Sequence, residues 1–405
     1  MNIIFHRGGK EIGGNCIEIQ SNNEKILIDV GKSITNTDLK DCIEKYSSYD
    51  GVLLSHSHID HYGLLNRISK DTKVFCSAAT KDILDVNHIF LTQDKFDVDY
   101  CIFESYKQFR IGSFEITPFL QDHSAFDSHG FIIKVEEKII VYTGDFRNHG
   151  RKPHIYRKLM NLIKDENVNL LITEGTTLNR EYDKIKTEDE IVDDLILAIS
   201  KRNGLVMVCF SPQNIDRLVS IYKATRKTEK TFVIDIYTAY LLGKLSNYSN
   251  IPNAQFRNIA VYYPINQVKK LLNMKMNYVL SDFTKRRIFL DKIKANPQKY
   301  IIMVRPSLIE ELKELEPSLL IYSMWKGYLK NKDMKKMSEW CIDKGAQFEI
   351  IHTSGHTSVD FFVDYVEKID PELLKIIHTE GISDGYLKLK KYQNSLAENG
   401  DRLII

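Results

Sequence analysis

The segment SHSHIDH, residues 55–61, carries the strongest chemical signal in the sequence. It places four side chains that bind metals, His56, His58, Asp60 and His61, within six residues. The apolar run DGVLL just before it predicts a strand, and at an extended strand end His56 and His58 project to the same side. A turn into a following helix would direct Asp60 and His61 to a second point. Imidazole and carboxylate ligands suit zinc, and also manganese or iron.

Three more side chains stand in matching contexts further along the chain. His123 follows a predicted strand in FLQDHSAFDSHG, Asp145 ends the strand IIVYTGD, and His378 ends LLKIIHTEG. Alone, each is weak evidence, because a single histidine after a strand is more often a capping or core residue. Together they supply the ligands that the first cluster lacks for two ions, and a carboxylate such as Asp145 is suited to bridging them.

The elements that must position these residues are short strands and helices. The first 150 residues read as strands, such as NIIFHR, GNCIEIQ and KILIDVG, separated by turn residues. From about Lys184, helical periodicity in DEIVDDLILAISKRN alternates with strands such as LVMVCF, which favours a parallel α/β unit. Strand signals of the first type return after about Gln347. We therefore predict an α/β layered domain over 1–183 and 346–405, with a second α/β domain inserted at 184–345.

Composition narrows the class of protein without deciding its function. The chain has 405 residues, 43% of them hydrophobic and 27% charged, as in ordinary globular proteins. A net charge of +2 neither supports nor excludes a nucleic-acid partner. No apolar run approaches the roughly 20 residues that span a bilayer, and the start MNIIFHRGGKEIGG lacks signal-peptide features. We expect a cytoplasmic protein with no membrane partner.

The cysteines predict neither disulfides nor a thiolate metal site. They are scattered singly with no CxxC pair, which argues against both arrangements. Most have apolar neighbours, so we expect small buried hydrophobic side chains at all six positions: Cys16, Cys42, Cys76, Cys101, Cys209 and Cys341.

Taken in order, these motifs resemble those of the metallo-β-lactamase superfamily. The first cluster, His123 and Asp145 in TGDFR match that superfamily's succession of motifs. The remainder resembles its β-CASP branch, which includes RNase J and the mRNA 3′-end cleavage endonuclease. Glu174 in LLITEGTT, His356 in HTSGHTS and His378 match that branch's later motifs, although HTEG replaces the more usual HGE. GGKEIGGNC resembles the start of RNase J-like proteins, and YSMWKGYL resembles a segment of the cleavage endonucleases.

The resemblance implies a fold and a ligand set. The fold would be a four-layer αβ/βα metallo-β-lactamase domain with an inserted α/β β-CASP domain. Two zinc ions are implied, with manganese as the alternative metal. The implied ligands are His56, His58 and His123 for one ion, Asp60, His61 and His378 for the other, and Asp145 as the bridge.

The implied catalytic residues are Asp60, Glu174 and His356. Two divalent ions make water acidic enough to attack as hydroxide and stabilise the charge on a phosphoryl oxygen. His356, oriented by Glu174, would stabilise the scissile phosphate or protonate the leaving oxygen. An alternative for Glu174 is a carboxylate that caps the segment after its strand.

Two segments of the inserted domain are candidate phosphate contacts. FSPQNIDR resembles a phosphate-binding turn of the RNase J type, with Ser211 and Asn214 as the contacts. An ordinary helix N-terminus, with Ser211 as cap and Pro212 as first residue, is an equal and compatible alternative. Arg305 and Ser307 in MVRPSL form a second candidate position.

Two basic runs, residues 285–287 and WKGYLKNKDMKK, lie near aromatic residues. Such runs are more often solvated helix faces than binding surfaces, so a binding role is the minority interpretation.

The function implied by the resemblance is a metal-dependent nuclease that hydrolyses phosphodiester bonds in single-stranded RNA. One alternative is a hydrolase of small molecules, such as a lactone, thioester or cyclic phosphate, because this kind of metal site serves many chemistries. Another is a catalytically dead nucleic-acid-binding subunit. The sequence separates neither RNA from DNA nor exonuclease from endonuclease action. It leaves the oligomeric state open, with a homodimer as one candidate.

Overall fold

The computed structural model describes residues 1–34, 43, 47–91, 96–179, 185–382, 391–392 and 395–405. The chain forms two compact units. The first comprises Met1–Lys81, Lys95–Lys184 and Gly355–Ile405, and the second comprises Asp82–Asp94 and Ile185–Ser354.

Twenty strands lie within the described residues. They are β1 (Asn2–Arg7), β2 (Cys16–Ser21), β3 (Glu24–Ile28), β4 (Gly51–Leu53), β5 (Lys73–Ser77), β6 (Asp99–Phe103), β7 (Phe109–Ile111), β8 (Phe114–Leu120), β9 (His129–Val135), β10 (Lys138–Tyr142), β11 (Leu170–Glu174), β12 (Leu205–Cys209), β13 (Thr231–Asp235), β14 (Ile259–Tyr262), β15 (Arg287–Ile288), β16 (Tyr300–Met303), β17 (Pro317–Tyr322), β18 (Gln347–Ile350), β19 (Leu373–Ile377) and β20 (Arg402–Ile404).

The same part of the chain contains twelve α-helices. They are α1 (Ile59–Tyr62), α2 (Ala78–Phe90), α3 (Tyr156–Leu162), α4 (Glu188–Ser200), α5 (Ile215–Lys227), α6 (Ile236–Leu245), α7 (Ile265–Asn273), α8 (Asn277–Asp282), α9 (Leu290–Ala295), α10 (Ile309–Leu312), α11 (Lys332–Asp343) and α12 (Val359–Ile369). Each of these helices is too short or too polar to span a lipid bilayer.

Two mixed sheets form the centre of the first unit. One has the strand order β20-β1-β2-β3-β4-β5-β6, and the other has the order β19-β11-β10-β9-β8-β7. Alternate residues of β8 are buried, the pattern expected of a strand that packs on one face. Phe5 and Ile17 of the first sheet and Phe114 and Phe131 of the second belong to one buried cluster, so the sheets pack face to face. The predicted mixed α/β class is confirmed.

The other face of the second sheet is covered by helices of the same unit. Val141 and Leu171 from that sheet cluster with Leu159 of α3 and with Phe362 and Val366 of α12. Helix α12 begins at its cap Ser358, whose hydroxyl accepts a hydrogen bond from the amide of Phe361. Helices therefore cover the face of this sheet that points away from the other sheet, as the sequence predicted.

Strand direction brings several carboxyl ends to one edge of the second sheet. Strand β10 is parallel to β11, which is parallel to β19. Strand β8 is antiparallel to β9, which is antiparallel to β10, so β8 and β10 run in the same direction. The segments that leave β8, β10, β11 and β19 consequently start at the same edge.

The second unit contains one parallel sheet of seven strands, in the order β15-β14-β13-β16-β12-β17-β18. All five residues of β12 are buried, as expected of a strand covered on both faces. Thr187 and Glu190 form a capping box that starts α4. This unit continues beyond the boundary at 345 predicted from sequence, because β18 pairs with β17. It also includes residues 82–94, which the sequence did not assign to it.

Most of the cysteines are buried, as expected. Cys16, Cys76, Cys209 and Cys341 are buried and Cys101 is partly exposed, and all five are free thiols. Cys42 lies outside the described residues.

A buried ion pair within the second unit gives a prediction about stability. Arg217 donates to both carboxylate oxygens of Glu188, at 3.3 and 3.1 Å, and to Ser323, and both charged side chains are fully buried. Substitution Arg217→Met leaves a buried carboxylate without its counter-charge, so we expect a loss of about 3–5 kcal/mol in unfolding free energy. The measurement is urea unfolding followed by circular dichroism.

The control is Lys223→Met, which removes the exposed pair with Asp189 and should cost less than about 1 kcal/mol. Equal losses for the two variants would contradict the role assigned to burial.

Candidate metal centre

Several candidate ligands lie at or within three residues of the ends of strands in the first unit. His56 lies three residues beyond β4, His123 three beyond β8, and Asp145 three beyond β10, while His378 immediately follows β19. Glu174 is the last residue of β11. Because β8, β10, β11 and β19 end at the same edge of the second sheet, four of these side chains meet there.

The 55–61 segment turns from extended chain into a helix, as the sequence predicted. His58 is the cap of α1 with extended backbone angles, φ −81° and ψ 143°, and Asp60 and His61 lie inside that helix. The His61 amide donates to the His58 carbonyl at 2.9 Å. This change of direction lets one short segment supply ligands to two neighbouring points.

The structure brings all seven sequence-predicted ligands together. Within each group, the potential ligand atoms lie within 4.8 Å of one another. The groups are His56, His58, His123 and Asp145; Asp60, His61 and His378; and Asp145, His356 and His378.

One oxygen, Oδ2 of Asp145, lies between the first two groups. It is 3.3 to 3.9 Å from imidazole nitrogens of both groups and of His356. The distances are 3.9 Å to His56 Nε2, 3.8 Å to His123 Nε2, 3.3 Å to His61 Nε2, 3.6 Å to His378 Nε2 and 3.9 Å to His356 Nδ1.

Protein groups fix the orientation of four of these imidazoles. In each ring Nδ1 contacts a protein atom, which leaves Nε2 for the centre of the cluster. The contacts are His61 to Asp29 Oδ2 at 2.7 Å, His123 to the Gly355 carbonyl at 2.7 Å, His378 to Thr176 Oγ1 at 2.7 Å, and His56 to Ser55 Oγ at 3.0 Å. His58 is the exception, because its Nδ1 lies 3.3 Å from His123 Nε2.

Buried atoms at the centre show that the cluster fits a cation. His56 Nε2, His61 Nε2 and Asp145 Oδ1 are buried and have no hydrogen-bond partner among the described residues. Leaving such atoms unpaired costs free energy, so they are rare in folded proteins. A metal ion would satisfy them, and a set of imidazoles and carboxylates suits zinc.

The two groups of histidines differ in electrostatics. Burial lowers the pKa of His56, His58 and His123, that of His58 to about 4. These rings are therefore neutral, the form that binds metals. Burial also opposes protonation of His61 and His378, but nearby carboxylates, Asp145 first, outweigh it and raise the pKa of both.

His356 and Glu174 form a pair beside the cluster. His356 Nδ1 lies 3.1 Å from Glu174 Oε1, and Glu174 Oε2 accepts a hydrogen bond from the Thr176 amide at 2.9 Å. Burial raises the pKa of Glu174, but the charge and hydrogen bond of His356 outweigh it, so the net shift is downward. His356 is 19% exposed and Glu174 only 2%. Glu174 thus has contacts suited to both roles weighed from sequence, orienting His356 and holding the backbone after its strand.

Sequence reasoning missed Asp29, which holds part of the centre in place. Asp29 Oδ2 lies 2.7 Å from His61 Nδ1 and accepts hydrogen bonds from the hydroxyls of Ser55, at 2.8 Å, and Tyr142, at 2.6 Å. The other oxygen, Oδ1, accepts a hydrogen bond from the Ser55 amide. Asp29 has a left-handed backbone, φ +56°. The available signal was ILIDVG, an acidic residue after a buried strand, the same pattern that pointed to Asp145.

Of the candidate phosphate contacts, Asn214 has a defined structural role. Its side chain caps α5 by accepting the Arg217 amide at 3.0 Å, and the helix begins at Ile215. The alternative with Ser211 as cap and Pro212 as first helical residue is therefore wrong, because the capping oxygen comes from Asn214.

The other candidate contacts follow neighbouring strands of the same unit. Arg305 comes after β16 and Ser211 after β12, and these two strands are adjacent and parallel. Arg305 pairs with Asp235, and its guanidinium lies 5.3 Å from the centre of the Tyr237 ring. Ser307 is exposed. Phosphate binding by these four residues stays a prediction.

Comparison with known proteins shows what the chain is similar to. Residues 24–192 match the β-lactamase superfamily domain. In sequence the chain is similar to the RNase J-like protein of Methanocaldococcus jannaschii, with 22% identity over 66% of this chain and 66% of that protein. It is also similar to Ribonuclease J of Pyrococcus abyssi, with 23% identity over 93% and 89%. These matches confirm the predicted resemblance to the metallo-β-lactamase superfamily.

The relatives of the RNase J type agree with the predicted resemblance to the β-CASP branch. It is also similar to a solved protein of unknown function from Enterococcus faecalis V583, with a TM-score of 0.77, 20% identity, and coverage of 100% and 99% of the two chains. That likeness shows the fold alone. The chain spans less than two thirds of the first relatives it matches, 66%, 35% and 43% of their lengths.

The contacts of Asp29 give a prediction about metal affinity. Asp29→Asn keeps the shape of the side chain but removes the charge that orients His61 and raises its basicity. We expect metal affinity to fall about 10–100-fold, as for other carboxylates that hold a metal-binding histidine. Competition with a fluorescent chelator measures this.

The matched control is Asp99→Asn, at an exposed carboxylate of β6. An Asp29→Asn variant that binds metal as tightly as this control would show that Asp29 does not support the centre.

Proposed function

We propose that this protein is a metal-dependent nuclease that hydrolyses phosphodiester bonds in single-stranded RNA, and that it binds two zinc ions, with manganese as the alternative. The observation that carries the proposal is Asp145 Oδ2 lying between two groups of ligands, with His356 and Glu174 beside it. The names of the relatives, RNase J-like protein and Ribonuclease J, support the choice of RNA.

The ligand groups suggest how two ions would be held. His56, His58 and His123 would hold one, Asp60, His61 and His378 the other, and Asp145 both. When bound, such ions lower the pKa of water and offset the negative charge that develops on phosphoryl oxygens.

His356 and Glu174 supply the chemistry that belongs to the chain itself. The Glu174 carboxylate lies 3.1 Å from Nδ1 of His356 and holds that side of the ring, so Nε2 is the nitrogen that would face a substrate. A protonated imidazole there would donate a hydrogen bond to the scissile phosphate or a proton to the leaving oxygen. The partial exposure of His356 gives a phosphate access to it.

Asp60 combines a ligand position with a catalytic role in orienting water. Burial raises the pKa of its carboxyl, but a hydrogen bond with His378 at 3.2 Å and the neighbouring imidazoles outweigh burial and lower the pKa, so the group stays ionised. An ionised carboxylate in this position would accept a hydrogen bond from the attacking water and so orient it.

In this proposal, residues of the second unit contact the RNA backbone. Ser211, Asn214, Arg305 and Ser307 follow adjacent parallel strands and are at least partly exposed. Hydroxyl, amide and guanidinium groups are common phosphate donors.

The direct test uses the metal-loaded protein and its His58→Ala variant. Each is incubated with end-labelled single-stranded RNA and DNA that carry a 5′-monophosphate or a 5′-hydroxyl. We expect RNA cleavage by the native protein alone, while circular dichroism shows that both proteins are folded, because His58 supplies a ligand rather than core packing. The product ladder shows whether attack starts from the 5′ end.

Undiminished cleavage at full metal depletion would contradict the proposal. Absence of cleavage of every nucleic acid by the metal-loaded protein would favour the small-molecule hydrolase, which lactone, thioester and cyclic-phosphate substrates would then test.

The role of His356 can be separated from metal binding. His356→Ala should lower kcat for RNA cleavage by about 10²–10⁴-fold, the usual contribution of a general acid or base. Metal content, measured by mass spectrometry, should stay at the native level. The control is His154→Ala, at an exposed histidine of the same unit. Loss of metal in proportion to activity would instead identify His356 as a ligand.

A further inference from the structure

A pocket of about 740 Å³ lies within the second unit. Helices α6 and α8, the turn after α8 and the segment around Gln255 contribute its lining. Its volume falls in the range of roughly 300–1,000 Å³ that is typical of ligand pockets. None of the candidate phosphate contacts or metal ligands belongs to this lining.

Aromatic rings form part of the pocket. Tyr240, Tyr278 and Phe283 all line it. Tyr278 is 55% exposed, a large exposure for an aromatic side chain next to a cavity. Tyr240 hydrogen-bonds with Tyr278, and burial raises the pKa of Tyr240, which keeps its phenol neutral. Exposed, flat rings of this kind are the surfaces on which unpaired bases stack.

The charged side chains of the lining favour an anion. Lys244, Lys285 and Arg286 contribute three positive charges, and Asp282 contributes one negative charge, which leaves two positive charges in excess. Arg286 donates from Nη2 to the Gln255 carbonyl at 2.9 Å, which holds its guanidinium in place. The ammonium of Lys244 lies 5.7 Å from the centre of the Tyr240 ring. Aromatic rings next to cations match a ligand that has both a planar ring and a phosphate.

The exposure of the lining distinguishes between a free nucleotide and a nucleotide within a chain. Sites for small molecules bury about 70–90% of their ligand. Here Tyr278, Lys285 and Arg286 are all exposed. An open pocket with cations at its margin allows a polynucleotide to enter and continue past it.

We propose that this pocket binds one nucleotide unit of single-stranded RNA, with the base stacked on Tyr278 and the adjacent phosphates beside Lys285 and Arg286. The choice of RNA rests on the proposed function. The basic run at 285–287, which the sequence left as a solvated surface, acquires a binding role at its first two residues.

Gly243 offers a way to test the pocket without removing any charge. It lines the pocket from α6, and a Cβ built on it meets no atom within 4 Å. A tryptophan is a better helix former than glycine, so Gly243→Trp should fill pocket space without weakening the helix. Gly243→Ala adds only a methyl group and is the matched control.

The test measures binding of a fluorescein-labelled single-stranded RNA with phosphorothioate linkages by anisotropy, using the metal-loaded 405-residue chain. We expect Gly243→Trp and the double variant Lys285→Ala/Arg286→Ala each to weaken binding about tenfold, in line with the loss of one stacked base. In the double variant, the slope of log Kd against log salt concentration should also fall by about one to two, because up to two phosphate contacts are lost. Gly243→Ala should bind as the native protein does.

Two further measurements separate this proposal from its alternatives. Hydrolysis of bis(p-nitrophenyl) phosphate should be the same in all variants, which shows that the metal centre is intact. Unchanged RNA affinity in both pocket variants would overturn the pocket proposal even when RNA cleavage is normal. A second result would also overturn it: uridine monophosphate binds the native protein, binds Gly243→Trp more weakly and does not compete with RNA. That result would identify a site for a free nucleotide. Variant-sensitive RNA binding without any cleavage would overturn the proposed function and leave the pocket standing.

Discussion

A single buried carboxylate oxygen, Oδ2 of Asp145, sets the requirements for the rest of the metal centre. Five imidazole nitrogens approach it to within 3.9 Å, and all of these side chains except His356 are buried. Buried charges and unpaired polar atoms of this number are stable only when they are paired or bind a cation. The fold must therefore deliver all of these side chains to one point and hold each ring in the correct orientation.

The two facing sheets of the first unit meet this requirement through strand direction and a shared buried carboxylate. Parallel β10, β11 and β19 bring Asp145, Glu174 and His378 to one sheet edge. Asp29, at the end of β3 in the other sheet, binds the hydroxyl of Tyr142 from β10 as well as His61. The same carboxylate therefore joins the two sheets and orients a ligand, which couples the packing of this unit to the geometry of its site.

The sequence predicted which side chains form the cluster because their signals are local. The 55–61 segment shows four ligand types at short spacing, and His123, Asp145 and His378 each follow a readable strand. The role of Asp29 was not predictable in the same way, because it depends on which strands of the two sheets face each other. The left-handed backbone of His378, φ +53°, was also not predictable from the sequence. His378 lies directly after a buried strand, and its amide donates a hydrogen bond to the Gly8 carbonyl.

The less successful predictions concerned boundaries and surfaces. The cap of α5 is Asn214 and not Ser211. Either side chain can cap a helix, and only the path of the backbone decides between them. The second unit includes β18, which lies beyond its predicted end at residue 345. Periodicity predicts a strand but does not show which sheet the strand joins. Residues 285–287 are exposed, as predicted for a solvated run, and Lys285 and Arg286 also line the pocket of the second unit.

We infer that the cluster around Asp145 binds two metal ions. Anomalous diffraction at the zinc absorption edge, from crystals grown with zinc, is the measurement to make first. We expect two peaks, one on each side of Asp145, the first bound by His56, His58 and His123 and the second by Asp60, His61 and His378. A single peak, or peaks bound by other residues, would show that this inference is wrong.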